Sequence, residues 1–350
     1  MTVVKSSGYS IHFGDIQKSL GPFLKKNKFS SVFIVCDENT LPHCLSLLVS
    51  KCPAAANAHI IELEPGERSK DLEVCTMIWQ TLLENIADRQ TLIINLGGGV
   101  VSDVGGFCAS LYKRGIAFVN IPTSLLAMAD ASVGAKTGIN FRGLKNSIGT
   151  FADPLAVFID PVFLRTLSER HLKNGLAEVY KIALVSDAAF WKKITKDAEL
   201  PQMILQSVKL KEKVVKKDPR DKGYRNILNF GHTIGHALES IALETGYDLL
   251  HGEAVVKGMI VEAHISFQKK LLSKRELDEI TTTLRSKFDP VLKMPVEPET
   301  LMRFVQNDKK SSSKLPEFAL LQGIGKCTHG ISVSKDQISK ALAALHTFIK

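Results

Sequence analysis

Thr91–Asp103 reads TLIINLGGGVVSD. An apolar, β-branched run ends in three glycines, and a stretch with helical spacing follows. A short apolar run bounded by glycine predicts a buried strand. Glycine lets the backbone approach a ligand closely, and the N-terminus of the next helix offers unpaired N–H groups to phosphate oxygens. The segment is not the GxGxxG fingerprint, and a plain tight turn accounts for it equally well when it is taken alone.

The neighbouring segments extend the pattern. Ser31–Cys36, Ala58–Leu63, Ala117–Ile121 and Ala156–Ile159 are further strand candidates, and Asp71–Ile86 between them has helical spacing. Strands alternating with helices imply a largely parallel sheet. Asp37 and Asn39 follow the first of these strands and Glu67 and Lys70 the second, the carboxyl ends at which open α/β sheets bind ligands. From about Pro161 the periodicity becomes helical, apart from a strand signal at Phe318–Leu321. The expected architecture is an α/β N-terminal Rossmann-like domain over residues 1–160 and an all-α C-terminal domain over 161–350. A ligand pocket is expected between the two halves.

Composition narrows the function classes. At 350 residues the chain exceeds one typical core, and no apolar run is long enough to span a membrane. The N-terminus lacks the apolar core of a signal peptide and shows strand-like alternation, so a cytoplasmic protein is expected. Six cysteines without a CxxC pair read as buried thiols. The net charge of +9 raises nucleic acid as a partner, but the excess is local, at Lys209–Lys217 and Lys309–Lys314, with no interleaved aromatics to stack on bases. These runs read as solvated faces or as ligands for a small anion.

Asn229–His236 reads NFGHTIGH, with His251 following in LLHGEA and Glu178 preceding in NGLAEVYK. His232 and His236 are four apart and share a helix face. One carboxylate and two imidazoles form a catalytic type of zinc site that leaves a position for substrate oxygen. The absence of HExxH disfavours a metalloprotease. Asp130, Lys136, Lys145 and Asn146 lie among small residues in Ile121–Asn146; Arg114 precedes them, and Lys211, Arg225 and Asn229 lead into the histidine helix. Together these cations point to a substrate bearing phosphate and carboxylate.

Taken in order, GGGVVSD, IPTSLLAMADASVGAKT, LKNSIG, GLAEVYK, LNFGHTIGHA, LHGEAV and NDKK resemble the 3-dehydroquinate synthases, over residues 30 to 330. The resemblance implies Glu178, His232 and His251 as ligands of zinc, with cobalt as the alternative ion. It implies NAD contacts at Asp37, Asn39, Glu67, Lys70, Gly98, Gly99, Val100, Asp103, Thr123, Ser124, Lys145 and the Phe163–Thr166 turn. Asp130, Lys136, Asn146, Lys181, Lys211, Arg225, Asn229, His236 and Lys309, with Lys310 as the alternative to Lys309, would hold or act on the substrate. Arg114 resembles the family arginine that reaches into a partner subunit's site, implying a homodimer. The family's glycine pair before Lys136 is here Gly134-Ala135, its DERE run is Asp218–Asp221 (DPRD), and Leu144 stands directly before Lys145.

The implied reaction is that of a carbon–oxygen lyase of the shikimate pathway. It takes 3-deoxy-D-arabino-heptulosonate 7-phosphate to 3-dehydroquinate and phosphate by transient oxidation, elimination, re-reduction and an intramolecular aldol. Three rivals are a metal-dependent polyol dehydrogenase of the same fold, a cyclase making a valiolone or inosose ring, and a basic nucleic-acid-binding module. The first would accumulate NADH, the second would leave Lys211 and Arg225 without an anion, and the third lacks a binding motif.

Overall fold

The computed structural model describes residues 1–142, 144–196, 198–288, 294, 296–307 and 315–346. The chain divides into two compact units, Met1–Leu172 and Lys173–Lys350.

Unit 1 is built on a seven-stranded sheet ordered β1-β2-β9-β6-β5-β3-β4. Its strands are β1 (Thr2–Lys5), β2 (Ser10–Phe13), β3 (Val32–Asp37), β4 (His59–Leu63), β5 (Leu92–Gly97), β6 (Ala117–Pro122) and β9 (Ala156–Ile159). Only the β1–β2 pair is antiparallel; the other neighbours run parallel. The five strands expected from apolar runs are present, and the alternating N-terminus supplies the antiparallel edge. β5 is buried along its whole length, which explains its unbroken apolar sequence.

Helices α1 (Leu20–Asn27), α2 (Ser46–Lys51), α3 (Leu72–Glu84) and α4 (Gly99–Leu111) complete the layer. Cys75, Ile78 and Leu82 of α3 and Val101, Val104 and Phe107 of α4 close one core with Phe33, Ile61, Ile93 and Phe118 of the sheet. The chain moves from β3 outward to β4 in one direction and from β5 to β6 in the other. This places a topological switch point between β3 and β5, with Asp37 and Gly97 at the two carboxyl ends.

A second sheet was not legible in the sequence. β7 (Lys136–Phe141) and β8 (Leu144–Phe151) pair antiparallel within the stretch read above only as small residues and cations. β8 is exposed at almost every position, so neither alternation nor an apolar run marks it. Its anchor is polar: Thr150 Oγ1 shares hydrogen bonds with Ser110 Oγ at 2.9 Å and Thr137 Oγ1 at 2.8 Å.

Unit 2 is mostly helical, as expected. α5 (Glu169–Ser186) begins before the division and continues into it, followed by α6 (Ala188–Ile194), α7 (Leu200–Lys217), α8 (His232–Thr245), α9 (His251–Gln268), α10 (Lys274–Lys287), α11 (Pro298–Asn307) and α12 (Lys335–His346). An antiparallel ribbon, β10 (Glu317–Leu321) and β11 (Cys327–Ser332), adds one strand to the one anticipated. α9 is buried along most of its length and packs against α8, α10, α12 and β10. A Cβ on Gly258 of α9 would sit 1.9 Å from the carbonyl oxygen of Gly231, the residue that opens α8 with φ of +81°. The two helices therefore meet backbone to backbone, as only glycine permits.

Glu262 of α9 is fully buried and ties this contact. Its carboxylate accepts from Gly231 N at 2.6 Å and Ile234 N at 3.1 Å, satisfying orphan donors at the start of α8 where the helix dipole favours negative charge. Glu262→Ala should destabilise unit 2 by about 3 kcal/mol, because two buried N–H groups lose a charged partner. Denaturant unfolding of the variant beside the wild type checks this; a loss below about 1 kcal/mol would contradict the capping role.

Candidate active site

Three helices deliver one cluster in unit 2. Glu178 comes from the middle of α5, while His232 and His251 are the first residues of α8 and α9. Glu178 Oε1 lies 3.5 Å from His232 Nε2 and 3.3 Å from His251 Nε2. The far nitrogens face outward from the cluster: His232 Nδ1 is 3.3 Å from the Phe230 carbonyl, and His251 Nδ1 is 3.2 Å from Glu239 Oε2. Both rings thus turn Nε2 toward the same carboxylate. α5 and α9 approach closely enough for this because residue 252 is glycine; a Cβ there would meet the Asn174 carbonyl at 2.1 Å, and its N–H donates to Asn174 Oδ1 at 2.5 Å.

The electrostatics of the cluster suit a cation. Glu178 is 2% exposed, and neither of its oxygens receives a well-aligned hydrogen bond among the described residues, although Lys181 Nζ touches Oε2. Burial would raise the Glu178 carboxyl, but Lys181, His232 and His251 overcome this and hold it well below the usual carboxylate range. Burial lowers His232 well below the ordinary imidazole value, and Lys181 reinforces the effect against Glu178. Burial opposes a proton on His251 as well, yet Glu239, with Glu178 behind it, pushes that ring up to about 10. A charged carboxylate with unsatisfied oxygens beside two imidazole Nε2 atoms is the donor set of an open zinc-type site. One ligand atom each from Glu178, His232 and His251 lies within 4.8 Å of the others.

The cations of unit 2 are placed differently from a solvated face. Lys181, Lys211 and Arg225 are all buried. Within Lys209–Lys217, Lys209, Lys213, Lys216 and Lys217 are exposed and fit a solvated face, whereas Lys211 is buried and does not. Arg225 sits in a 3-10 turn, Tyr224–Asn229, whose entry is tied by Asp218: its carboxylate accepts from the backbone N–H groups of Lys222, Gly223 and Arg225 at 2.8 to 3.0 Å. Those bonds, led by the one from Lys222, lower the Asp218 carboxyl. Asn229 Nδ2 donates to Asn226 Oδ1 at 3.3 Å. His236 lies one turn along α8 from His232, with ring centroids 5.2 Å apart. Lys309 and Lys310 lie outside the described residues.

Unit 1 brings a second group of the expected residues together. Lys70, 5% exposed, donates to Asp103 Oδ2 at 2.7 Å and to Asn146 Oδ1 at 2.5 Å. Asn140, which sequence reading missed, bridges the same network: its Nδ2 donates to Glu67 Oε1 at 2.9 Å and its Oδ1 accepts from Asn146 N at 2.8 Å. Asp37 Oδ1 is engaged by Thr40 N at 2.8 Å and Asn39 N at 3.0 Å, an Asx turn closing the end of β3. Gly98 precedes α4, Gly99 and Val100 open it, and Thr123 N donates to the Gly97 carbonyl at 2.9 Å. Ser124 Oγ accepts from Ala127 N at 3.2 Å. Asp130 is half-buried in a short helical turn, Lys136 and Lys145 are exposed on the β7–β8 ribbon, and buried Phe163 and exposed Thr166 belong to one 3-10 turn. Arg114 stands apart, beyond the C-terminal end of α4 in a basin of about 600 Å³ lined by Asp88, Arg89, Gln90 and Lys113. Ala135 adopts φ of +59°, a left-handed backbone that costs an alanine about 1–2 kcal/mol.

Comparison with known proteins places these groups in a family. A model described as 3-dehydroquinate synthase N-terminal matches residues 60–174, and one described as 3-dehydroquinate synthase C-terminal matches residues 175–311. The chain belongs to the 3-dehydroquinate synthase family. The 3-dehydroquinate synthase of Parabacteroides distasonis is 37% identical over 335 residues, covering 94% of this chain and 95% of that one. That of a Nitratiruptor species is 40% identical over 304 residues, covering 85% and 86%. Among solved structures, 2-epi-5-epi-valiolone synthase from Streptomyces hygroscopicus, with NAD+ and Zn2+ bound, is 28% identical, with a TM-score of 0.84 and 99% of each chain covered. The N- and C-terminal family models meet two residues beyond the division between the two units, at 174/175 against 172/173.

Glu239, like Asn140, is a site residue that the sequence reading passed over. It lies three residues after His236 and seven after His232, a spacing that puts all three on one face of α8. Two outcomes test the cluster. Glu178→Ala or His232→Ala should abolish stoichiometric binding of a divalent ion, measured by chelator competition. With His251 protonated up to about pH 10 in the metal-free protein, an ion must displace that proton, so affinity should rise about tenfold per pH unit from 6 to 9. A pH-independent affinity would contradict this reading of His251.

Proposed function

We propose that this chain converts 3-deoxy-D-arabino-heptulosonate 7-phosphate to 3-dehydroquinate and inorganic phosphate, as a lyase of the shikimate route to aromatic amino acids. The observation that carries the reading is the convergence of Glu178 with the Nε2 atoms of His232 and His251 on a chain of this family. The donor set fits zinc, with cobalt as the alternative, and the switch point between β3 and β5 fits NAD, which the valiolone synthase relative also carries. When bound, the ion polarises a substrate hydroxyl and the nicotinamide accepts and returns a hydride.

The protein's own residues do the rest. Glu178, His232 and His251 hold the ion, and Lys181 fixes the second Glu178 oxygen. Asp37, Asn39, Glu67, Lys70, Asp103, Thr123, Ser124, Lys145 and the Phe163–Thr166 turn contact the dinucleotide in unit 1, with Gly98, Gly99 and Val100 offering backbone N–H groups to its phosphates. Lys136, Asn146, Lys211, Arg225, Asn229 and Lys309 bind the substrate's phosphate and carboxylate, the buried Arg225 offering a planar fork for a carboxylate. His236 and Asp130 act on the substrate, a ring nitrogen of His236 either shuttling a proton or contacting phosphate. Arg114, remote from the glycine turn along α4, serves a partner subunit's site in a cytoplasmic homodimer.

Because the hydride is returned, oxidation leaves no net product. With substrate, catalytic NAD+ and zinc, phosphate should be released over many turnovers while absorbance at the NADH band stays below one equivalent of enzyme. NADH accumulating in step with product would instead indicate a polyol dehydrogenase. Lys136→Ala should weaken binding of a phosphonate substrate analogue by about tenfold or more, about 1.4 kcal/mol, measured by calorimetry. Unchanged affinity would remove Lys136 from the phosphate site.

A further inference from the structure

We infer that Glu239 is the positioning residue for His251: its carboxylate holds the ring so that Nε2, and not Nδ1, is the donor to the ion. The inference rests on reading Glu178, His232 and His251 as a metal site. An imidazole offers two nitrogens, and the partner of one decides what the other presents. Glu239 Oε2 lies 3.2 Å from His251 Nδ1, while His251 Nε2 lies 3.3 Å from Glu178 Oε1. With one proton kept on Nδ1 for Glu239, Nε2 is the nitrogen that gives up its proton to an ion held beside the Glu178 carboxylate.

The two histidines are not held alike. His232 Nδ1 faces a neutral backbone carbonyl at 3.3 Å, whereas His251 Nδ1 faces a carboxylate that is 7% exposed. A carboxylate raises the basicity of the ring it holds and strengthens its bond to a cation, which a carbonyl does less well.

A competing arrangement exists on the same atoms. His236, Glu239 and His251 also bring one ligand atom each within 4.8 Å of one another. There Glu239 would be a ligand itself. The two arrangements are exclusive at His251, since Nδ1 cannot give its proton to Glu239 and its lone pair to an ion at once.

The test compares wild type, Glu239→Gln and Glu239→Leu, each stripped of metal and titrated with Zn2+ against a chromophoric chelator, then loaded with Co2+ for its visible ligand-field spectrum. Wild type is expected to bind one equivalent; binding of none would defeat the metal-site reading itself and is thereby told apart from failure of the Glu239 role. Glu239→Gln, whose amide can satisfy either tautomer, is expected to bind about tenfold more weakly, and Glu239→Leu about a hundredfold, both still at one equivalent with shifted Co2+ bands. Affinity within twofold of wild type with an unchanged spectrum overturns the role. So does one equivalent that is lost in Glu239→Gln but kept in Glu178→Ala, because Glu239 would then be a ligand and Glu178 would not. If the leucine variant does not fold, the glutamine variant alone decides.

Discussion

A carboxylate withdrawn from water has to find its compensation inside the protein, and Glu178 is withdrawn almost completely. Its surroundings answer with one ammonium and two imidazole edges, and even so its oxygens receive no well-aligned hydrogen bond among the described residues. Such an arrangement is costly in a protein that merely needs to fold, since apolar side chains of similar volume would fill the space at lower electrostatic cost. It becomes economical when a divalent ion completes it. Much of unit 2 reads as the scaffold this demands: three helices whose backbones come into contact through glycine, so that side chains from α5, α8 and α9 can meet.

The contacts that achieve this are backbone contacts fixed by buried polar groups. Glu262 caps α8, Asn174 receives the amide at the start of α9, and Asp218 gathers three amides ahead of the Arg225 turn. Each converts a loop or helix terminus, ordinarily the least determined part of a fold, into a fixed point. The candidate site residues sit at these fixed points: His232 and His251 each open a helix, and Arg225 lies within the turn that Asp218 holds. Unit 1 uses the same device at the Lys70 ammonium, which joins Asp103 of α4 to Asn146 of the β7–β8 ribbon.

How much of this was legible in the sequence depends on the range of the interaction. The parallel strands were, because burial on both faces leaves an apolar run at Leu92–Leu96 that needs no knowledge of its neighbours. The histidine pair was, because a four-residue spacing already implies a shared helix face. Glu178 and His251 were set beside that pair on residue type alone, and it was the resemblance to a family that made them ligands of one ion with His232, since no local pattern links residues so far apart in the chain. Glu262, Asn140 and Glu239 escaped notice because a charged or amide residue in a helix or strand looks solvated until its partner is known. The β8 strand escaped because its pairing is polar and its faces are wet. Lys211 was left between two readings for the converse reason: the other lysines of its run on α7 are exposed, and only packing shows that it is buried.

X-ray absorption at the zinc edge of the metal-loaded protein tests the central claim most directly, because it reports the identity of the atoms around the ion. The account predicts a shell of nitrogen and oxygen at about 2.0–2.1 Å, with the outer-shell scattering of two imidazoles and no sulfur. A sulfur shell near 2.3 Å, or a spectrum without imidazole scattering, would contradict it.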